Sequence, residues 1–199
     1  MFTNKKPRPE IFNDKDLVID ILSSSFKENK SVNLVVGGDN EKIPALMSYS
    51  YEMAELTGKI FISENRKAVG LILFPRKKKF SFKSFYEDLK LAINVIGLRR
   101  VPTILKRESL IKKHHPNEPF MHLWYIGVNP VDSGKGYGGM LLKEIIEFAD
   151  KKGQDIHLET STKRNINFYE NHGFENFANI DTGLPYRLML FRRRAKSTI

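Results

Sequence analysis

Four glycines stand within six residues in Ser133-Gly134-Lys135-Gly136-Tyr137-Gly138-Gly139. An apolar run from Phe120 to Val128 precedes them, with Asn129-Pro130 between, and Met140-Leu141-Leu142 followed by Ile145, Ile146 and Ala149 gives apolar residues at helical spacing. Strand, glycine loop and helix start make a device for holding an anion. Glycine lets the backbone approach a ligand closely, and the first N–H groups of a helix point outward at negative charge with the helix dipole behind them. Gly134, Gly136 and Gly139 also spell G-x-G-x-x-G, with the acidic Glu159 about 20 residues on. A dinucleotide fingerprint turns from its strand straight into the first glycine, however, whereas five residues separate Val128 from Gly134 here. G-x-x-x-x-G-K-[ST] is absent, because Gly136 follows Lys135.

A second constellation follows about 30 residues later: Leu158-Glu159-Thr160-Ser161-Thr162-Lys163-Arg164-Asn165-Ile166-Asn167-Phe168-Tyr169-Glu170-Asn171-His172-Gly173-Phe174. Glu159 ends a strand pointing at the same cleft as the glycine loop. A carboxylate there can bind a cationic amine or take its proton. Tyr169 carries a phenol that is protonated at neutral pH and can donate a proton or hydrogen bond. Asn165 opens a short helix and can cap it. His122 and Tyr125 on the central strand, and Thr160, read as cleft walls. His114 and His115 form a doublet with no third ligand in view, so no metal is expected.

The two blocks together resemble the GCN5-related N-acetyltransferases (GNAT). The first resembles that superfamily's V-x-P-x-x-[RQ]-G-x-G-[IYL]-G-x-x-L-L loop, with Ser133 where Arg or Gln is usual. The second resembles its N-x-x-F-Y-x-x-x-G-F signature, in wording closest to puromycin N-acetyltransferase-like members. The resemblance implies an α/β fold with a mixed central sheet, splayed at the acetyl-CoA site and flanked by helices. It implies acetyl-CoA as co-substrate, cradled by Ser133, Gly134, Lys135, Gly136, Tyr137, Gly138 and Gly139. The pantetheine arm is expected along Ile126, Gly127 and Val128, with Asn165 reaching the same ligand. Tyr169 is the implied proton donor, and Glu159 the candidate amine anchor or base.

Periodicity supplies the elements that must hold these groups. Helices are predicted at 17–26, with Asn13 or Asp14 as N-cap, and at 42–57, closed by Gly58. A hairpin follows at 59–63 and 67–74. Apolar residues at Phe82, Phe85, Leu89, Ile93 and Ile96, then Ile104, Leu105 and Ile111, predict two helices broken near Gly97 and Pro102. These form a helical insertion over about 76–118, placed before the central strand and over the sheet's open end. Then come strand 121–128, helix 138–151, strand 155–160, helix 163–172, and strands 175–181 and 184–192. Residues 1–199 are read as one N-acetyltransferase domain, with the best-matching core at 59–192.

Composition bounds the rest. With 199 residues, 41% hydrophobic and 28% charged, the chain has globular values and length for a real core. No cysteine is present, which excludes disulfides, thiolate metal sites and a cysteine nucleophile. The first residues lack an apolar stretch, and no apolar run spans a bilayer, so a cytoplasmic protein is expected, with no membrane partner. Net charge is +10, and between Pro75 and Glu118 twelve Lys or Arg against four Asp or Glu leave +8. Such a surface attracts coenzyme A, nucleic acid or an anionic membrane, or is simply a solvated helical face. Nucleic acid is not expected, because no aromatic-interleaved motif accompanies the charge. The expected activity is acetyl-CoA-dependent acetylation of a primary amine on a small molecule. A protein or peptide amine, or a non-catalytic acyl-CoA-binding regulator, are the alternatives, and a homodimer is among the expected assemblies.

Overall fold

Alternating and fully apolar runs build the sheet, and amphipathic helices cover both faces. The computed structural model describes residues 14–77 and 82–196. Asn13, one of two predicted N-caps, and part of the basic run after Pro75 lie outside those residues. In chain order come α1 (Asp14–Phe26), α2 (Lys30–Val36), α3 (Ile43–Thr57), β1 (Gly58–Ile62) and β2 (Ala68–Leu73). The insertion follows as α4 (Phe82–Lys90), a π-helical turn (Leu91–Ile96) and α5 (Val101–Lys112). The remainder is β3 (Met121–Val128), α6 (Tyr137–Lys151), β4 (Ile156–Thr160), α7 (Ile166–Glu170), β5 (Glu175–Asp181) and β6 (Arg187–Arg193). The six strands run in the order β1-β2-β3-β4-β6-β5, with β3 and β4 parallel and every other neighbour antiparallel. This is the mixed, helix-flanked sheet expected, with the helical insertion ahead of its central strand.

Several local expectations change. α2 was not foreseen; Asn29 caps it by accepting from the Ser31 and Val32 amides, and left-handed Gly37 closes it. Gly58 ends α3 without a left-handed cap (φ −150°), and starts β1. Its requirement is space, since a Cβ there would stand 1.8 Å from the Ile72 carbonyl oxygen. The insertion's two helical runs part at 97–100, near Gly97 and Pro102 as expected, and Pro102 sits in the first turn of α5, where its missing N–H costs nothing. The helix expected at 163–172 is a 3₁₀ turn (Lys163–Asn165) followed by one short α-helix.

The two faces bury separate clusters. Leu141, Leu142, Ile145 and Ala149 of α6 pack on Ile72, Met121, Leu123, Ile156 and Leu158. On the other face Val18, Ile21 and Leu22 of α1, with Leu46, Met47 and Ala54 of α3, pack on Val69 and Leu71. Apolar area removed from water at about 25 cal/mol per Å² makes these clusters the main stabilising term.

β3 is where the two faces meet the site. Only Met121 and His122 pair with β4, opposite Ile156 and His157. Beyond them the strands part. Against β2, β3 keeps a full ladder with one bulge, in which Trp124 is the extra residue between Leu123 and Tyr125. α1 seats its last turn on the far end of β3: Ser25 Oγ donates to the Val128 carbonyl at 2.6 Å. Gly127 allows that approach, because a Cβ would lie 2.9 Å from Ser25 Oγ and 3.0 Å from Leu22 Cδ2. Gly127→Ala is therefore expected to push α1 from β3 and lower stability by about 1–3 kcal/mol, read as a lower denaturant midpoint with unchanged slope.

Candidate active site

The gap between β3 and β4 presents backbone to a ligand. Asn129 N–H bonds the carbonyl of Lys67, the residue just before the neighbouring strand β2. With a period of two, Gly127 and Tyr125 also turn their amides and carbonyls to β2, while Ile126 and Val128 turn theirs into the gap. Of the three residues expected along the pantetheine arm, Gly127 thus offers the gap no backbone group, and the Val128 carbonyl already accepts from Ser25. The Ile126 amide and carbonyl and the Val128 amide are left.

The glycine loop continues from that strand end. Asn129 accepts from the Val131 amide and a 3₁₀ turn spans Pro130–Asp132. Asp132 is buried and takes the Lys135 ammonium at 2.6 Å and Lys67 at 3.4 Å. Hydrogen bonding to Lys135, against the cost of burial, holds Asp132 below its ordinary value. Lys135 is therefore spent on shaping the loop. The Ser133 amide bonds the Pro130 carbonyl, and the Lys135 amide lies 3.4 Å from the Asp132 carbonyl. Gly136 precedes α6 in the left-handed region (φ 83°), a conformation costly for other residues, and no side chain caps the helix. Among the described residues, the amides of Gly134, Gly136, Tyr137, Gly138 and Gly139 find no acceptor, and the first turn of α6 holds no acid. Five open amides at the start of a 15-residue helix fit a pyrophosphate.

Deeper in the fork lies the ionisable cluster. His122, at the last paired position of β3, bonds Glu159 on β4 through Nε2 at 2.9 Å. Burial alone would push Glu159 up, but the His122 charge and hydrogen bond, with Arg107 and His115 further off, hold it well below the carboxylate range. Burial would push His122 down, yet Glu159 outweighs it and holds the imidazole above its ordinary value. The two form a buried ion pair. His115, 5.6 Å ring to ring from His122, is driven down to about 4 by burial and by that neighbour, so it stays neutral. Tyr169 is buried against Phe168, Phe174 and Phe191, and burial plus the Glu159 charge push its phenol up. It keeps its proton at every physiological pH. Asn165 does not cap α7; its amide approaches Thr160 Oγ1 at 3.5 Å.

Glu159, His122, Tyr169, Thr160, Asn165 and Ile126 line one cavity of about 860 Å³. The insertion supplies much of its far wall, including Ile96, Ile104, Arg107 and His115, so it covers the sheet's open end as expected. α1 and α3 add Phe26 and Tyr49, which with Tyr125 and Trp124 form an aromatic side at centroid spacings of 5.1–6.1 Å. Tyr49 donates to Asp88 of α4 at 2.6 Å, joining α3 to the insertion. The sequence places His122 only as a wall and His115 only in a doublet without a third ligand, and it gives no sign of Arg107 and Tyr49, whose surroundings carry no spacing signal. Among the described residues no cluster of His, Cys, Asp or Glu has metal-binding geometry.

Comparison with known proteins agrees with this geometry. Residues 105–176 match the family model described as acetyltransferase (GNAT) domain. An uncharacterized N-acetyltransferase of Schizosaccharomyces pombe is 39% identical over 56 residues, covering 27% of this chain and 23% of that protein. The match thus spans about a quarter of the curated relative's length. A histone acetyltransferase HPA2 and related acetyltransferase from Corynebacterium glutamicum superimposes with TM-score 0.62 at 19% identity, over 94% of each chain. Arylalkylamine N-acetyltransferase 2 from Aedes aegypti gives 0.63 at 18%, over 92% of this chain and 94% of its own. At those identities the likeness is one of fold. The matched segment is thus similar to acetyltransferase (GNAT) domains, and the fold is shared with solved acetyltransferases.

If the open amides cradle pyrophosphate, Gly136→Asp should weaken coenzyme A binding by about tenfold or more, through charge and a blocked cradle. No atom lies within 4 Å of the added Cβ, so the fold should persist apart from strain at its positive φ. Titration calorimetry on the folded variant checks this.

Proposed function

We propose that the protein is an acetyl-CoA-dependent N-acetyltransferase, one catalytic domain acting on a primary amine of a small molecule. The observation that carries this reading is the buried His122–Glu159 pair, set with Tyr169 in the fork beside the open-amide loop. The amides of Gly134, Gly136, Tyr137, Gly138 and Gly139 would hold the pyrophosphate, and Ile126 and Val128 the amide-bearing arm. Bound there, acetyl-CoA supplies a thioester as acyl donor. The chain's own groups handle the protons. An amine arriving as its ammonium is drawn toward Glu159, and neutral His122, oriented by that carboxylate, accepts the proton. The Tyr169 hydroxyl gives its proton to the departing sulfur.

Of the two roles expected of Glu159 from sequence, amine anchor or base, that of direct base fits less well. A carboxylate held far below its ordinary value, with one oxygen on His122, has little proton affinity. The insertion walls the cavity, which favours a small acceptor over an extended peptide, and the wording close to puromycin N-acetyltransferase-like members supports the same side.

The test is thiol release from acetyl-CoA with a panel of primary amines and peptides across pH. His122 must lose its proton to act, and its value is raised, so turnover should climb with pH along a limb above about 6.5. Glu159→Gln removes the group that raises His122, while burial still pushes it down. The limb should therefore move to lower pH as turnover drops. Tyr169→Phe should cut turnover by about 10²-fold with coenzyme A affinity retained. A limb unmoved by Glu159→Gln would assign it to the free amine and remove His122 from the mechanism. No thiol release with any amine would overturn the reading itself.

A further inference from the structure

The insertion carries its apolar face outward. Along α4 and the π-helical turn, Phe85, Tyr86, Leu89 and Ile93 recur at three- and four-residue spacing, so they form one stripe. These side chains are 57%, 59%, 47% and 54% exposed. Ser84 and Val95, on the opposite side of the same helical run, are buried, and Leu91 is half-buried. Ordinary folding puts the apolar stripe inward and the serine outward, so this helix is reversed. A stripe of four large apolar side chains is more than the scattered exposure of single residues that soluble surfaces tolerate.

Charge indicates what covers it. The stretch from Pro75 to Glu118 carries +8 of the chain's +10. Lys83 and Lys90 lie beside the stripe, paired with Glu52 and Glu87. Arg99 and Lys106, on the same insertion, are exposed and enter no ion pair among the described residues. A second copy of the chain would bring two insertions of like net charge together, which disfavours it. An anionic bilayer surface meets both features. Aromatic and branched side chains enter the boundary between headgroups and acyl chains, and the cations meet the lipid charge.

We propose that Phe85, Tyr86, Leu89 and Ile93 seat the protein on anionic membrane surfaces. This revises the expectation that no membrane is a partner. It does not require a spanning segment, and no helix among the described residues is long and apolar enough to cross a membrane. The proposal stands apart from the acetyl-transfer reading, because none of the four stripe residues lines the catalytic cavity.

The full chain is to be floated with vesicles of phosphatidylcholine alone and of phosphatidylcholine mixed with phosphatidylserine. Binding is expected to the mixed vesicles, much less to the neutral ones, and to weaken as salt rises. The double substitution Phe85→Ser with Leu89→Ser should reduce binding by roughly tenfold or more, as should Ile93→Ser to a smaller degree. Both variants alter exposed positions, and an unchanged melting temperature confirms the fold. Absence of binding to the mixed vesicles would overturn the proposal. So would equal binding to both vesicle types, or binding that survives the double substitution. A monomer–dimer equilibrium abolished by the same substitutions, without vesicle binding, would assign the stripe to a second copy and overturn it too.

Discussion

The rest of the structure depends on β3 and β4 parting after two paired residues. Up to His122 and His157 the sheet is continuous; beyond them Ile126 and Val128 direct backbone groups into open space. An amide left without any partner costs about 1–3 kcal/mol, so such an edge persists only where water or a ligand can meet it. Here the surroundings hold the strands in place. β2 keeps its ladder with β3, β6 keeps its ladder with β4, and Ser25 of α1 ties down the far end of β3. The two arms of the fork are each fixed from outside, so the space between them is preformed.

The electrostatics follow from the fork. Glu159 stands two residues past the last paired position of β4, and His122 is the last paired residue of β3, so their bond bridges the strands where they divide. Burial penalises both charges, and each is held by the other. Glu159 contributes stability above the ordinary carboxylate value that is lost as pH falls through its depressed one. His122 contributes below about 6.5, and loses it as pH rises through its raised value. The pair is thus fully formed in the acid-to-neutral window, and its histidine becomes a proton acceptor on the alkaline side. Removing either partner leaves an uncompensated buried charge, which makes the pair a constraint on fold as well as on chemistry.

Much of this was legible in the sequence because the signals are local. Apolar periodicity located α1, α3, α6 and the strands, and glycine with proline marked the loop, since turn chemistry is written in adjacent residues. What was not legible depends on distance in the fold. His122 and Glu159 are 37 residues apart and meet only because β3 lies beside β4. Gly127 reads as a ligand-binding glycine beside a glycine loop, yet its smallness serves the seat of α1. α2 was missed because seven residues give too short a period to stand out. In the insertion, periodicity found the apolar stripe of α4, but periodicity says only that a face exists. It cannot say whether that face turns to the core or to solvent.

The central claim is that the fork and the loop together form one preformed slot for coenzyme A. Amide hydrogen exchange with and without coenzyme A tests it most directly. Slowed exchange is expected at Ile126 and Val128 together with Gly134, Gly136, Tyr137, Gly138 and Gly139, and unchanged exchange at Gly127, whose amide faces β2. Coenzyme A binding that protects none of the fork amides, or protects Gly127 while leaving Ile126 and Val128 exchanging freely, would contradict it.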